Sequence, residues 1–160
     1  MIRDYTDADR AYLQHACAEI HRTHIAVDPW RRGYIDDTYA ENSANGTLKE
    51  VAQGHGKIFV AEVGGKCVGM VAGIIKDKDL SEIYIKSWRE GEVLKLFVDK
   101  PHRGGSIARD LMDAMEDFFK SKDCVSYTLE LFGYNDAAEK FYSKCGLEPR
   151  LKTLAKRLKP

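Results

Sequence analysis

One stretch of the chain, Leu94 to Ala108, constrains the fold more than any other. Leu94 to Val98 has strand character, and two consecutive glycines follow after a Pro-containing turn. Beyond them, apolar residues recur at the spacing of one helix face: Ile107, Leu111, Met115 and Phe118/Phe119. A helix that begins directly after a strand leaves its first N–H groups without intrahelical acceptors. The stretch therefore predicts a binding site for a phosphate or diphosphate group.

The glycine pattern narrows the kind of phosphate site. Gly104 and Gly105 let an anion approach the backbone without meeting a Cβ atom, and Arg103 adds a positive charge. A Walker A loop is excluded because no Lys-Ser or Lys-Thr pair follows the glycines. A dinucleotide fingerprint is excluded because its three-glycine spacing is absent. A glycine-rich turn without a ligand remains open at this point.

The loop resembles the acyl-CoA loop of the GNAT superfamily of N-acetyltransferases, whose pattern is Arg/Gln-x-x-Gly-x-Gly/Ala. Arg103, Ile107 and Ala108 fit that pattern, and Ser106 stands where its middle Gly is usual. The Ser106 side chain would place a Cβ beside the expected diphosphate. Its hydroxyl can donate a hydrogen bond there or cap the helix.

A second motif downstream resembles the other signature of the same family. Asn135 to Leu147 contains an Asn and small residues, followed by Phe-Tyr-x-x-x-Gly-Leu. Gly146 stands where the C-terminus of a helix favours a left-handed residue. Because two motifs in this order and separation are more specific than either alone, the chain is identified as a member of the superfamily.

The resemblance implies a single α/β (α+β) domain over residues 1–160 with the GNAT acyltransferase fold. Its central sheet is mixed and mostly antiparallel, contains a splayed strand pair, and is flanked by about four helices. The residues themselves predict a first strand at Met1–Tyr5 and a β-hairpin at Lys57–Ile75 that turns at Gly64-Gly65. They also predict a polar insertion at Asp77–Glu90, which would fold over the acceptor site or contact another subunit.

The central strand is expected to open at Glu92. Its alternation would place Glu92, Leu94, Leu96 and Val98 on one face. A further strand, Tyr127–Leu131, is expected between the two motifs, and a last strand within Glu148–Lys159.

The N-terminal region predicts an amphipathic first helix capped by Thr6. One stripe of this helix carries Leu13, Cys17, Ile20 and His24. Cys17, His21 and His24 have a spacing that a metal site can use. No fourth ligand is evident, so a structural, core-facing stripe is favoured and no metal is expected.

A second, polar helix is predicted from Arg32 to Glu41, and a short helical segment near Leu48–Gln53. In the resembled family this region lines the acceptor side of the cleft. Tyr34, Asp37 and Tyr39 are therefore candidates to bind a cationic amine, through charge pairing and cation–π contact. A solvated helix face is the equal alternative.

The resemblance also implies which residues hold acetyl-CoA, the expected cosubstrate. The strand edge at Leu96, Phe97 and Val98 would bind pantetheine, and an N–H near Phe97 or Val98 would stabilise the oxyanion. Asn135 would bind the pantetheine arm, with Ala138, Phe141 and Tyr142 beside it. The diphosphate would lie on the backbone of six loop residues: Arg103, Gly104, Gly105, Ser106, Ile107 and Ala108.

Acetyl transfer to an amine needs a proton acceptor and a proton donor. At pH 7 only about one lysine-like amine in a few thousand is unprotonated, so a general base assists attack. Glu92 matches the position of a catalytic Glu in some family members, and an ion pair with Arg89 is the alternative. Tyr142 matches a tyrosine that protonates the coenzyme thiolate, and a core tyrosine is the alternative. Direct attack in a ternary complex is expected, because Cys145 has no evident neighbouring base.

Composition limits the classes of partner that are expected and indicates a cellular location. The 25 basic and 25 acidic residues cancel, whereas nucleic-acid binders usually show a basic excess. No apolar run is long enough to span a membrane, and early charges are atypical of a signal peptide. Four cysteines without C-x-x-C spacing indicate a cytoplasmic protein with reduced thiols.

The expected function is acetyl-CoA-dependent N-acetylation of a primary amine on a small cationic molecule, and two alternatives remain. One is a non-catalytic acyl-CoA-binding or sensing module, and the other is a protein lysine or N-terminal acetyltransferase. A homodimer is a family-level expectation.

Overall fold

The computed structural model describes residues 1–30, 32–79, 82 and 86–158 of the chain. Five strands and four helices occur in this part: β1 (Ile2–Asp4), α1 (Arg10–Val27), α2 (Tyr39–Gln53), β2 (Lys57–Val63), β3 (Lys66–Lys78), β4 (Trp88–Val98), α3 (Ile107–Lys120), β5 (Ser126–Leu129) and α4 (Asp136–Lys144). Short 3-10 turns at Asp7–Asp9 and Lys100–His102 precede α1 and α3. Thr6 lies at the N-cap of the first of these turns.

The strands form one sheet in the order β1-β2-β3-β4-β5. All neighbours are antiparallel except β4 and β5, which are parallel. β3 is buried without interruption from Val68 to Ile74 because helices cover both faces of the sheet. The predicted mixed, mostly antiparallel sheet with four flanking helices is confirmed.

Two apolar clusters fill the space between the sheet and its helices. On one face, α1 and α2 pack against the sheet through Leu13, Ala16, Cys17, Ala44, Ile58, Val60, Met70, Ala72 and Phe97. On the other face, α3 packs through Leu111, Met112, Met115 and Phe119 against Ala61, Val68, Val71, Val93 and Val98. The predicted stripes of α1 and α3 are therefore the faces that these helices bury.

A β-bulge changes the predicted alternation of β4. Gly73 of β3 is opposite Val93 and Ala72 is opposite Lys95, so Leu94 is an extra residue without a partner. As a result Val93, Leu96 and Val98 all pack on the α3 face. The prediction that Glu92, Leu94, Leu96 and Val98 share a face was wrong, because the extra residue shifts the period. The strand also opens at Trp88, before Glu92.

The predicted splayed strand pair is present. β5 pairs with β4 only from Glu90–Ser126 to Val93–Leu129. β4 then continues to Val98, whereas the chain leaves β5 after Leu129. The two strands thus part directly at the bulge, and the edge of β4 beyond it has no β5 partner.

The hairpin prediction is confirmed, and β3 extends it to Lys78. Gly64 and Gly65 adopt φ values of 58° and 76°, as a two-residue hairpin turn requires. Of the predicted insertion, Asp77 and Lys78 belong to β3, while Trp88 to Glu90 belong to β4. Tyr84, which the prediction included, lies outside the described residues.

The predicted polar helix from Arg32 to Glu41 was wrong. The chain from Arg32 to Asp36 has no regular structure, and α2 runs from Tyr39 through the segment predicted as a separate short helix. Asp36 explains the later start, because its carboxylate accepts hydrogen bonds from both the N–H and the hydroxyl of Thr38. Gly33 packs so closely on α1 that a Cβ there would lie 2.6 Å from Cγ1 of Ile25.

The predicted last strand is absent from residues 148–158, and Lys159 lies outside the described part. Side chains rather than a backbone ladder attach this segment. The Arg150 guanidinium lies 3.3 Å from Oε1 of Glu90, and Arg157 donates to the Pro29 carbonyl oxygen at 3.1 Å. No helix in the described part of the chain is both long and apolar enough to span a membrane.

Candidate active site

The turn between β4 and α3 leaves backbone N–H groups unbonded where the sequence predicts an anion site. Gly104 has a φ of 86°, and α3 begins three residues later with Ser106 at its N-cap. The first N–H bonded in α3 is that of Asp110, which reaches the Ser106 carbonyl oxygen at 2.8 Å. Among the described residues, none accepts a hydrogen bond from the N–H groups of Gly104 to Arg109. These donors, at the positive end of the helix dipole, can hold a diphosphate.

Two side chains of this loop differ from the expectation. The Ser106 hydroxyl neither caps α3 nor points free, because it donates to Oδ2 of Asp110 at 2.9 Å. Arg103 does not extend outward either. Its Nε donates to the Val98 carbonyl oxygen at 2.7 Å, and its guanidinium carbon lies 5.7 Å from the centre of the Phe97 ring. Arg103 thereby fixes the loop to the end of β4, while its remaining N–H groups can still meet an anion.

The helices beside the cleft are held to each other and to the sheet. Arg109 of α3 donates to the carbonyl oxygen of Lys144 at the end of α4. Asn135 caps α4, where its Oδ1 accepts from the Ala138 N–H at 3.3 Å, which leaves its amide NH2 for another acceptor. Phe141 packs against the cluster beneath α3. Of the predicted pantetheine residues, Phe141 and Tyr142 therefore pack against the α3 face of the sheet, and Asn135 and Ala138 form the start of α4.

Tyr142 lies beside Phe141, with ring centres 5.2 Å apart, and packs against the same cluster. Burial raises the pKa of its phenol to about 12, so the hydroxyl stays protonated at neutral pH. No described residue makes a hydrogen bond to this hydroxyl. A protonated donor without a partner can serve a ligand in the cleft. Burial also raises the pKa of the Cys145 thiol, which makes this cysteine a poor nucleophile.

Glu92 faces away from α3, toward the side of α1 and α2. Its carboxylate forms an ion pair with Lys76 on β3. Arg89, the partner considered from the sequence, pairs instead with Asp77, with 2.7 Å between Nε and Oδ1. The ion pair engages Oε2 of Glu92 and leaves Oε1 for other contacts.

A groove of about 380 Å³ lies between α1 and the start of α2. The groove is lined by His21, Arg32, Gly33, Tyr34, Asp36, Thr38, Tyr39 and Asn42. The His21 ring stacks on Tyr39, with centres 4.2 Å apart and planes 12° from parallel. Its Nε2 lies 2.8 Å from the carbonyl oxygen of Tyr34. Ring faces and one carboxylate therefore line an open groove.

Of the three predicted acceptor residues, the structure brings Tyr34 and Tyr39 to this groove, but not Asp37. Asp36 lines it instead. Sequence reasoning also missed His21 and Asn42, because they belong to different helices. The Asp-x-Thr spacing at Asp36 was the available signal, since this pattern forms a local turn.

A second cavity, of about 300 Å³, lies at the other end of β4. Its lining includes the Arg89–Asp77 ion pair, with His55 and Lys122 nearby. This cavity is separate from the candidate site, because the unbonded loop N–H groups follow Val98, at the opposite end of β4. Within the described ranges, no group of three or more His, Cys, Asp or Glu side chains is arranged to hold a metal ion.

Comparison with known proteins agrees with this geometry. Residues 18–147 match the Acetyltransferase (GNAT) family. N-acetyltransferase 8F1 of Rattus norvegicus is 26% identical over 125 residues, which are 78% of this chain and 53% of the rat protein. The chain spans about half the length of the curated relatives it matches.

Solved structures share the fold at low sequence identity. The tetramutant of the BH1408 protein from Bacillus halodurans superposes with a TM-score of 0.85 at 20% identity, covering 99% of each chain. A predicted acetyltransferase from Clostridium acetobutylicum, solved with acetyl-CoA, gives a TM-score of 0.74 at 16% identity. The match covers 99% of this chain and 96% of that one.

Proposed function

The chain belongs to the GNAT family of N-acetyltransferases, and on this premise we propose that it transfers an acetyl group from acetyl-CoA to a primary amine on a small cationic molecule. The observation that carries the proposal is the splay between β4 and β5, which opens beside the unbonded N–H groups at the start of α3. A thioester and a diphosphate on one extended ligand would occupy these two places together.

The coenzyme would bind mainly through backbone. The free edge of β4 at Leu96 to Val98 offers N–H and C=O groups to the amide groups of pantetheine, as an added strand would use them. The N–H groups from Gly104 to Ala108 would hold the diphosphate. The unused NH2 of Asn135 would donate to a carbonyl oxygen of the pantetheine arm.

In the reaction, the amine attacks the thioester carbonyl directly in a ternary complex. A main-chain N–H near Phe97 or Val98 would stabilise the oxyanion that forms. The Tyr142 hydroxyl would donate to the departing thiolate, because it is protonated and has no other partner in the described chain. The family resemblance implies Glu92 as a candidate base, but its ion pair with Lys76 engages one carboxylate oxygen, so the role of base is open to another side chain.

The acceptor groove supports a small cationic acceptor. The exposed ring of Tyr34, the ring of Tyr39 and the carboxylate of Asp36 provide cation–π and charge contacts. Arg32 also lines the groove, but its guanidinium lies 4.4 Å from the centre of the Trp30 ring and is partly satisfied there. A homodimer and a cytoplasmic location remain predictions.

Two alternatives give different outcomes in the same experiment. We would first titrate acetyl-CoA, CoA, ATP and NADH into the protein by calorimetry, and then measure thiol release with three acceptors. The acceptors are spermidine, a lysine-containing peptide blocked at its N-terminus, and a peptide with a free N-terminus.

We expect micromolar binding of the two coenzyme A species alone, and fastest thiol release with spermidine. Faster reaction of either peptide would indicate that the acceptor is a protein and not a small molecule. Binding without turnover of any amine would favour a sensing module, and absence of coenzyme binding would contradict the proposal as a whole.

A further inference from the structure

Lys95 and Phe132 lie on the two sides of the point where β4 and β5 separate. Lys95 is the first β4 residue after the bulge that pairs with β3. Phe132 belongs to the segment that follows β5, three residues after the last paired residue, Leu129. A side chain that is close to both of them lies over the mouth of the splay.

His24 of α1 has this position. Its ring centre is 5.1 Å from that of Phe132, with the planes inclined at 57°. Lys95 is near enough for its charge to act on the imidazole. His24 also lies one helical turn from His21, which lines the acceptor groove. The imidazole therefore stands between the groove and the place where the strands separate.

We propose that His24 is the base that takes the proton from the acceptor ammonium, a role that rests on the proposed function above. The ring is half-buried, and its nitrogens have no hydrogen-bond partner in the described part of the chain. An imidazole over the mouth of the splay, one turn from the groove, lies on the route that an amine takes to the thioester.

The surroundings keep the imidazole in its neutral form, in which one ring nitrogen has a free lone pair. Burial lowers the pKa of His24, and the nearby charges of His21 on the same helix and Lys95 on β4 lower it further. No carboxylate is among the groups that act on it. His24 is therefore neutral at pH 7, in contrast to Glu92, whose carboxylate is engaged by Lys76.

The proton balance of the step is complete. The ammonium first gives one proton to a ring nitrogen of His24, which later releases it to water. The free amine then forms the C–N bond, and the C–S bond breaks. The second proton leaves the nitrogen and replaces the one that Tyr142 gives to the thiolate. The products are the N-acetyl amine, CoA with a free thiol, and one proton in solution.

Two small acceptors that differ mainly in basicity test the role of His24. Ethylamine is an ammonium ion at pH 7, whereas 2,2,2-trifluoroethylamine is mostly neutral and needs no base before attack. We expect His24→Gln to lower kcat/KM for ethylamine about 100-fold at pH 7. For trifluoroethylamine the loss should be at most about threefold, and raising the pH to 10 should narrow the ethylamine difference.

His55→Asn is the matched control. His55 is exposed at the far end of the sheet and has a φ of 47°, which asparagine tolerates. This variant should keep both rates. Equal losses of His24→Gln with both amines would overturn the role of base, as would an unchanged ethylamine rate.

A second measurement separates failure of this inference from failure of the proposed function. In NMR spectra of the labelled histidines, the His24 signal is the one missing in His24→Gln. We expect acetyl-CoA to shift it and to leave His55 unchanged. An unshifted His24 signal, while acetyl-CoA binds, would place His24 away from the thioester and overturn the inference alone. Absence of wild-type turnover with any amine would contradict the proposed function, and the role of His24 with it.

Discussion

At the scale of single residues, the protonation state of Tyr142 decides what it can contribute. With a pKa of about 12, the phenol is a hydrogen-bond donor throughout the neutral range. Complete transfer of its proton to a thiolate of pKa near 8.5 would cost about 5 kcal/mol unless another proton replaces it. In the proposed reaction, its contribution would therefore be concentrated in the step in which the C–S bond breaks.

We predict that Tyr142→Phe lowers kcat about 100-fold and changes the Kd of CoA less than about threefold. The phenyl ring keeps the packing, and only the donor to the leaving thiolate is lost. Steady-state kinetics with spermidine and calorimetry with CoA measure the two quantities.

Tyr127→Phe is the control for this prediction. Burial also raises the pKa of Tyr127 to about 12, but its hydroxyl is directed to Glu116, with 3.3 Å between the oxygens. Its loss should cost about 1 kcal/mol of stability and leave kcat unchanged. Similar kcat losses in both variants would show that Tyr142 acts through the fold.

At the scale of elements, the junction of β4 and α3 combines a conformational demand with a proposed binding role. Gly104 and Gly105 both have open space where a Cβ would stand, but only Gly104 has a positive φ, of 86°. Substitutions at the two glycines can therefore distinguish the effect of backbone strain from the effect of blocked ligand access.

We predict that Gly104→Ala lowers the free energy of unfolding by about 1–2 kcal/mol, because alanine is strained at this φ. Gly105→Ala should change it by less than about 0.5 kcal/mol. Both should weaken CoA binding, since a methyl group at either position would hinder close approach of an anion to the loop backbone. Thermal unfolding and calorimetry provide the two readouts. Unfolding free energies that are equal for the two variants would contradict the argument about strain.

At the scale of the whole molecule, one hydrogen-bond network joins the neighbouring strands β1, β2 and β3 to the turn that precedes α1. Arg3 of β1 binds Asp9 through two N–H groups, at 2.8 and 2.9 Å, and Glu62 of β2 through Nε at 2.9 Å. The Cys67 thiol of β3 donates to Asp9 at 3.2 Å, and its own pKa is raised to about 11 by burial. Asp9 is 6% exposed, so its charge depends on these partners.

We predict that Asp9→Asn lowers the free energy of unfolding by about 2 kcal/mol at pH 7, because Arg3 loses its buried partner. The hydrogen bonds from Arg3 hold the pKa of Asp9 well below its usual range. A lowered folded-state pKa stabilises the fold at pH values above the unfolded pKa, near 4.

This stability is lost as the pH falls through the folded-state pKa, so the difference between wild type and variant should shrink below pH 4. Urea unfolding from pH 2.5 to pH 7 measures it. Asp7→Asn, an exposed change in the same turn, should be nearly neutral throughout. If the difference in unfolding free energy between wild type and Asp9→Asn stays constant with pH, it does not arise from the ion pair between Arg3 and Asp9.

Local patterns predicted the parts of the fold that local physics decides. The hairpin followed from Gly64-Gly65, the α3 helix from its apolar period, and the end of α4 from Gly146, whose φ is 87°. The predicted helix from Arg32 failed because Asp36 forms a turn with Thr38, which competes with helix formation. The prediction of a last strand was wrong because a strand needs a neighbouring strand to bond with, and the sequence pattern of residues 148–158 cannot supply one.

The sequence by itself determined the strand–loop–helix junction and the family, since consecutive glycines before a helix and the Asn135–Leu147 motif are local and ordered along the chain. Only the tertiary structure decided where β4 bulges, because register depends on the partner strand. It alone showed that Lys76 rather than Arg89 pairs with Glu92. It also brought the ring of His24 to 5.1 Å from that of Phe132, in the segment after β5. That position depends on α1, β4 and the segment after β5 meeting in space, which no spacing along the chain encodes.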